Sequence, residues 1–249
     1  MKSGTLYLIP TNLSEPFNPS HILPAHVIET AIRLNHYVAE NAKSARAFLK
    51  RIGIDRPLQT ISIRELNNQT PETALREMIL PLIVGNDVGL VSEAGAPGVA
   101  DPGALLVALA HAQRIPVVPL VGPSSILLGL MASGLNGQVF AFHGYLPQEK
   151  SARITAIATL ERESQQRAMT QLFIETPYRN QAMYEDLLAT LAPDTQLCIA
   201  RDLTGSNECV QTKSVGEWQR HTTDIEKLPT LFLFLAHYPT RVTRKPERR

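Results

Sequence analysis

The stretch that decides the fold runs from Val88 to Gly103 and reads VGLVSEAGAPGVADPG. It begins with a short apolar run typical of a buried strand, and then breaks into small residues, glycines and prolines. Gly95, Gly98 and Gly103 permit a positive φ and a close approach of another molecule to the backbone. Because open α/β sheets bind ligands outside the carboxyl ends of their strands, we predict that residues 92–103, the glycine-rich loop, bind a ligand. The alternative is an ordinary glycine- and proline-rich turn.

Composition limits the class of protein. The chain has 249 residues, of which 44% are hydrophobic and 19% charged, enough for one large domain or two of about 120 residues. The net charge of +1 means that any basic surface for nucleic acid must be local. No apolar run has the length of a membrane span or the pattern of a signal peptide. Two cysteines, Cys198 and Cys209, are expected to be free thiols. We therefore expect a cytoplasmic protein without a membrane partner.

Strand and helix patterns alternate along the chain, which is typical of an α/β fold. The alternation restarts near residue 121, so we predict two α/β domains at residues 1–120 and 121–240. The second domain is expected to contain more antiparallel pairing, because some of its strands have short connections. Residues 241–249 form a basic tail that is expected to be disordered. In the first domain, Thr70 is predicted to cap a helix that ends near Val84.

Several common site motifs are absent. The sequence contains no G-x-G-x-x-G after its first strand, no G-x-x-x-x-G-K-[ST], no H-E-x-x-H, no paired cysteines and no G-x-S-x-G. These absences disfavour a dinucleotide-binding protein, a P-loop hydrolase, a metalloprotease, a zinc site and a serine hydrolase. Loops rich in backbone amides and carbonyls instead suit a cofactor with adenine and amino-acid ends. We predict no metal site.

Five segments of the chain carry a family pattern. They are Ser92-Glu93-Ala94-Gly95-Ala96-Pro97 with Ala100-Asp101-Pro102-Gly103, Val121-Gly122-Pro123-Ser124 with Ser133-Gly134-Leu135, Gly144-Tyr145-Leu146-Pro147, Glu175-Thr176-Pro177-Tyr178-Arg179, and Arg201-Asp202-Leu203-Thr204. With the same order and spacing from Leu6 to about Trp218, the chain resembles the tetrapyrrole methylase family of two-domain S-adenosylmethionine-dependent methyltransferases. Within that family it is similar to the branch that methylates a ribose 2′-hydroxyl of cytidine in small-subunit ribosomal RNA.

The resemblance implies two α/β domains with a cofactor cleft between them, S-adenosylmethionine as the cofactor, and a homodimer. It also implies which residues contact the cofactor, mostly through their backbone. These residues are Leu13, Ala94, Gly95, Ala96, Val99, Ser124, Ser125, Glu175 and Leu203.

Methylation of a ribose hydroxyl requires a group that accepts its proton. Glu40 and Glu93 are the candidate bases, and the alternative for each is a solvated or structural carboxylate. Arg179 and Arg201 are candidate substrate residues, since a guanidinium binds phosphate through two hydrogen bonds; both are equally suited to surface ion pairs. Basic residues in and next to the helix predicted at residues 44–51 are candidates for contacts with RNA phosphates, together with the basic tail: Lys43, Arg46, Lys50 and Arg51.

Two segments, Asn12–Glu15 and Asn41–Lys43, depart from the branch pattern in loops that would face the substrate. Three functions therefore stay open. The chain is an RNA ribose methyltransferase, a methyltransferase for a small molecule such as a tetrapyrrole, or an S-adenosylmethionine-binding protein without catalysis.

Overall fold

A computed structural model gives the fold and describes residues 2–220, 225 and 227–236. The chain divides into two compact units, residues 1–124 and 125–249, and each contains one five-stranded sheet. These two sheets with their helices confirm the predicted α/β class. The predicted tail at 241–249 lies outside the described residues. Within the described ranges, no helix is long and apolar enough to cross a membrane.

The sheet of the first unit is entirely parallel. Its strand order is β3-β2-β4-β1-β5, which places the carboxyl ends of all five strands at one edge. The central strand β4 is buried along its whole length, as expected for a parallel sheet covered on both faces. The strands are β1 (Leu6–Ile9), β2 (His36–Ala39), β3 (Ser62–Glu65), β4 (Val88–Val91) and β5 (Val117–Pro119).

Six helices connect these strands, and one of them departs from its prediction. The predicted helix from Thr70 to Val84 is two helices, because the interior Pro81 cannot continue the hydrogen-bond ladder. Thr70 does not cap the first of them: its hydroxyl accepts from the N–H of Asn67 (2.9 Å). The helices are α1 (Pro19–Ile22), α2 (Ala25–Arg33), α3 (Ala42–Arg51), α4 (Glu72–Met78), α5 (Leu80–Ile83) and α6 (Gly103–Ala112).

The sheet of the second unit is mixed. Its order is β6-β7-β10-β8-β9; β6 and β7 are parallel and the other pairs antiparallel, which confirms the expected antiparallel character. Thr230 pairs with both Glu175 and Arg201, so the carboxyl ends of β7 and β8 meet at one edge. The strands are β6 (Phe140–Tyr145), β7 (Thr170–Glu175), β8 (Gln196–Arg201), β9 (Cys209–Ser214) and β10 (Thr230–Leu235).

The core of the second unit combines aliphatic and aromatic residues, and Phe173 stacks on Phe232 in it with 5.8 Å between ring centroids. Cys198 is buried in β8 and Cys209 is half-buried, and both are free thiols, as predicted. Burial raises the pKa of the Cys198 thiol to about 11, so this thiol is unreactive at neutral pH. The helices are α7 (Ser125–Ser133), α8 (Lys150–Arg167), α9 (Asn180–Thr190) and α10 (Val215–Arg220).

Candidate functional site

The loops that follow β1 and β4 are joined at the carboxyl edge of the first sheet. These strands are neighbours, with Ile9 and Val91 as their last paired residues. The backbone N–H of Thr11 donates to the Gly95 carbonyl (3.0 Å), and the Ser92 hydroxyl donates to the same carbonyl (2.7 Å). Thr11 and Ser92 are both buried. Buried hydrogen bonds therefore fix the glycine-rich loop against its neighbour.

Three residues of the glycine-rich loop have left-handed backbone. Their φ angles are +72° at Gly95, +81° at Gly98 and +54° at Ala100. This conformation costs a residue with a side chain about 1–2 kcal/mol, whereas glycine adopts it readily. Such strain concentrates at ligand-binding sites. A strained alanine in a loop that is otherwise well fixed therefore supports a role in binding.

The strand order brings the two candidate bases to the same edge. Glu40 directly follows β2, whose last residue Ala39 pairs with Val91 of β4, and Glu93 lies two residues beyond β4. Burial is the main cause that raises the pKa of Glu40, and the neighbouring carboxylates of Asp101 and Glu93 raise it further. Two carboxylates of the glycine-rich loop thus form an acidic group with Glu40.

Asp101 is a member of this group that the sequence prediction did not include. Its Oδ1 atom accepts from the N–H of Gly103 (2.6 Å) and from that of Gly98 (3.3 Å). A Cβ at Gly103 would lie 2.5 Å from that oxygen and 2.8 Å from Leu90 Cδ2, so a larger residue there would displace the Asp101 or Leu90 side chain. The signal in the sequence was the Asp-Pro-Gly triplet at the start of a predicted helix, where an acidic side chain can accept from a first N–H group.

Three residues that the resemblance implies as cofactor contacts lie together in the first unit. A Cβ at Gly95 would lie 3.0 Å from Leu13 Cδ2, 3.3 Å from the Pro123 carbonyl oxygen and 3.9 Å from Ser124 Cα. The loops after β1 and β5 therefore both reach the glycine-rich loop at this point. The other implied residues of the loop are exposed or partly exposed: Ala94, Ala96 and Val99.

Alanine at Gly95 is expected to destabilise the protein more than alanine at Gly98. Both positions have a positive φ, so each substitution carries a backbone cost of about 1–2 kcal/mol. Only the Gly95 methyl group would press on Leu13 and the Pro123 carbonyl, because the nearest atom to a Cβ at Gly98 is 3.8 Å away. Urea unfolding of the two variants measures the difference. Equal midpoints would show that Leu13 does not pack against Gly95.

In the second unit, Glu175 ends β7 with its carboxylate almost fully buried, its side chain being 1% exposed. Its Oε1 atom accepts from the N–H of Thr176 (2.6 Å) and from Nε and Nη2 of Arg179 (2.9 and 2.6 Å). Its Oε2 atom is buried and has no hydrogen-bond partner among the described residues. Glu175 therefore positions Arg179 and also keeps one acceptor available for a ligand donor.

The loop after β8 is the second strained segment. Asp202 and Thr204 have φ angles of +47° and +68°, and positive φ at a β-branched residue such as threonine is rare. Arg201 is half-buried at the end of β8, and Leu203 is buried. Ser125, the remaining implied contact, is the first residue of α7.

Within the described part of the chain, no group of three or more His, Cys, Asp or Glu side chains could hold a metal ion. The carboxylates of Glu40, Glu93 and Asp101 offer negative charge and hydrogen-bond acceptors at this edge of the sheet.

The chain is similar to proteins of known name in sequence and in fold. No protein-family model matches it. Curated relatives named ribosomal RNA small subunit methyltransferase I come from Xylella fastidiosa (31% identity over 90% of this chain and 77% of the relative) and Escherichia coli O157:H7 (30% over 86% and 70%). A relative of that name from Micromonospora olivasterospora is 34% identical over 83% of this chain, which spans 61% of the relative's length.

A crystal structure of the methyltransferase CobJ superposes with a TM-score of 0.61 over 94% of both chains, at 15% sequence identity. At this identity the superposition shows a shared fold.

Proposed function

Since the chain belongs to the tetrapyrrole methylase family, among the ribosomal RNA small subunit methyltransferase I proteins, we propose that it transfers a methyl group from S-adenosylmethionine to a ribose 2′-hydroxyl of small-subunit ribosomal RNA. The observation that supports this reaction best is that Glu40, whose pKa is raised, lies next to carboxylates of the strained glycine-rich loop. Location in the cytoplasm, expected from the free cysteines, and a homodimer, implied by the resemblance, are parts of the same proposal.

The buried carboxylate of Glu175 in the second unit tests whether the residues present suit S-adenosylmethionine. The buried Oε2 of Glu175 has no partner among the described residues, and an unsatisfied buried acceptor is costly. The cofactor carries amino and hydroxyl donors that would satisfy it. We propose that Ser125, Glu175 and Leu203 are the residues of the second unit that contact the cofactor.

The first unit contains its own group of implied cofactor contacts. We propose that Leu13, Gly95 and Ser124, which lie together, contact the cofactor with the loop residues Ala94, Ala96 and Val99. The positive φ at Gly95 and Gly98 turns the backbone so that a ligand can approach it closely.

When bound, the cofactor supplies a methyl group that is already activated on a sulfonium. The protein must then hold the ribose hydroxyl in line with that group, exclude water, and accept the hydroxyl proton. Burial and two neighbouring carboxylates disfavour the charged form of Glu40. Its carboxylate is therefore a stronger base than an ordinary one, and we propose that it accepts the proton.

Methyl transfer to RNA in vitro tests the proposal. Purified protein, S-adenosylmethionine with a labelled methyl group and small ribosomal subunits lacking the modification are expected to give label in RNA, in nucleotides that resist alkaline cleavage because their 2′-oxygen is methylated. Label in a small molecule of a cell extract, with none in RNA, would favour the alternative acceptor.

Basic side chains for the RNA phosphates lie on α3, which begins two residues after Glu40. Lys43, Arg46 and Lys50 are exposed and have helical spacing that places them on one face. None of the three forms an ion pair within the described ranges. Arg51 differs, because it pairs with Glu15 (3.5 Å) and lies over the Phe17 ring.

Neutralising Lys43 and Arg46 together as glutamine is expected to weaken RNA binding and to reduce the slope of log K against log [salt] by about 1.4–1.8, since each lost phosphate contact contributes about 0.7–0.9. Arg162 and Arg167 on α8 give a matched control, because Arg46 and Arg162 each donate to a carbonyl four residues earlier. Filter binding at several salt concentrations measures the slopes. Equal slopes for the two double variants would exclude α3 as a phosphate-binding helix.

A further inference from the structure

Tyr178 is the most exposed of the large hydrophobic and aromatic side chains in the described part of the chain, at 83%. It lies in the loop after β7, beside the arginine that Glu175 holds. An aromatic ring that is exposed to solvent on a surface loop contributes little to the stability of a fold. Its exposed face is available for a nucleobase to stack on. Unpaired bases of RNA are recognised in this way by Tyr, Phe, Trp and His side chains.

The backbone on both sides of Tyr178 is fixed. Pro177 precedes it in a short 3-10 turn, Pro177–Arg179, and proline restricts φ to about −65°. Arg179 follows it, and the buried carboxylate of Glu175 accepts hydrogen bonds from two of its nitrogens. The ring is therefore held on a rigid turn, which lowers the conformational entropy lost when a base stacks on it.

A cation accompanies the ring. Lys227 Nζ lies over the Tyr178 ring, 5.6 Å from its centroid. The buried side chain of Asn180 joins the two segments, since its Nδ2 donates to the Leu228 carbonyl (2.8 Å) and to the Thr230 hydroxyl (3.0 Å). Lys227 is thus held near the ring from the segment before β10. One ammonium covers one face of a ring, and the other face stays open to solvent.

We propose that Tyr178 is a stacking platform for an unpaired nucleobase of the RNA substrate, with Lys227 placed to contact an adjacent phosphate. The assignment rests on the proposed RNA methyltransferase function and extends it by naming a residue that positions the RNA. An aromatic ring with a neighbouring cation is the combination that single-stranded nucleic acid binding uses. Tyr178 acts through binding, not through the methyl-transfer step.

The test measures binding of two probes, a short single-stranded oligocytidylate and a ribose-phosphate chain of the same length without bases. Removing one base–aromatic stack typically weakens binding by about 5- to 150-fold. Tyr178→Ala is therefore expected to bind oligocytidylate more weakly by that factor and to bind the abasic chain as tightly as the wild type does. Tyr178→Phe keeps the ring and is expected to bind both probes like the wild type.

Two further variants test the stacking of the base and the phosphate contact separately. Tyr178→Trp is expected to add fluorescence that oligocytidylate quenches and the abasic chain does not. Lys227→Gln is expected to weaken both probes by the same factor and to reduce the salt slope by about 0.7. Because Tyr178 is exposed, its variants are expected to unfold at the same urea concentration as the wild type.

If the wild type methylated RNA but Tyr178→Ala bound oligocytidylate as tightly as the wild type, the stacking role of Tyr178 would be overturned and the proposed function would stand. A wild type that neither bound nor methylated RNA would overturn the proposed function, and the platform with it. The two failures are distinguished by the wild-type measurement alone.

Discussion

Replacing Glu40 by glutamine is expected to lower the rate constant of methyl transfer by about 10²–10⁴-fold, the usual effect of removing a general base. Glutamine has nearly the same shape but cannot accept the hydroxyl proton. Calorimetric titration with S-adenosylmethionine is expected to give an unchanged Kd, because Glu40 is not among the proposed cofactor contacts. Single-turnover methylation of RNA measures the rate. A rate within a factor of three of the wild type would remove Glu40 from the mechanism.

The pH dependence gives an independent check on Glu40. Its pKa lies above the ordinary value of 4.5, and the base is active only when deprotonated. The rate is therefore expected to fall on the acid side at a pH above 4.5. Glu93→Gln removes one of the negative charges that raise this pKa, so the acid limb is expected to move to lower pH. An unmoved limb would show that Glu93 does not act on the titrating group.

The raised pKa of Glu40 also determines how the stability of the folded protein changes with pH. Because the folded state binds the Glu40 proton more tightly than the unfolded state, the contribution of Glu40 to stability decreases as pH rises above 4.5. Glu40→Gln is thus expected to be at least as stable as the wild type at neutral pH. A lost activity in this variant would then be separable from unfolding.

Asp186→Asn is expected to reduce the free energy of unfolding by about 3–5 kcal/mol, because it leaves the buried guanidinium of Arg153 without its counter-charge. The Asp186 Oδ2 atom accepts from Nε (2.7 Å) and lies 2.5 Å from Nη2 of that arginine, with both side chains about 6–7% exposed. Arg153 also donates through Nη1 to the Gln148 carbonyl (2.8 Å). Far-UV circular dichroism in urea measures the loss.

Lys150→Ala is the control for that experiment. Lys150 also pairs with Asp186 (3.8 Å), but its side chain is 72% exposed, so its loss is expected to cost less than about 1 kcal/mol. The double variant Arg153→Met with Asp186→Leu removes both charges and is expected to recover most of the stability. If Asp186→Asn and Lys150→Ala unfolded at the same urea concentration, the buried pair would not stabilise the second unit.

A local pattern in the sequence was sufficient for the central strand of the first sheet. The apolar run that begins at Val88 is confirmed as the buried strand β4 (Val88–Val91), because a short apolar run followed by glycines and prolines indicates a buried strand without further context. The helix predicted from Thr70 to Val84 is wrong in its start and its continuity. Its failure has a local cause, since Thr70 bonds to Asn67 and Pro81 interrupts the ladder.

The arrangement of the candidate site depended on long-range structure. Glu40 and Glu93 were candidates from the sequence, but their proximity results from β2 and β4 being neighbours in the order β3-β2-β4-β1-β5. Asp101 joins them, although it lies eight residues beyond Glu93 along the chain. The exposure of Tyr178 also could not be predicted from the sequence, because tyrosine occurs both buried and exposed in folded proteins.

Ribose methylation of ribosomal RNA in cells tests the central claim most directly. The RNA of a strain that lacks this protein is compared with that of the same strain supplied with the wild type or with Glu40→Gln. The wild type is expected to restore a 2′-O-methyl group in the small-subunit RNA, and Glu40→Gln is expected not to restore it. Small-subunit RNA with identical ribose methylation in the parent and the deletion strain would contradict the claim.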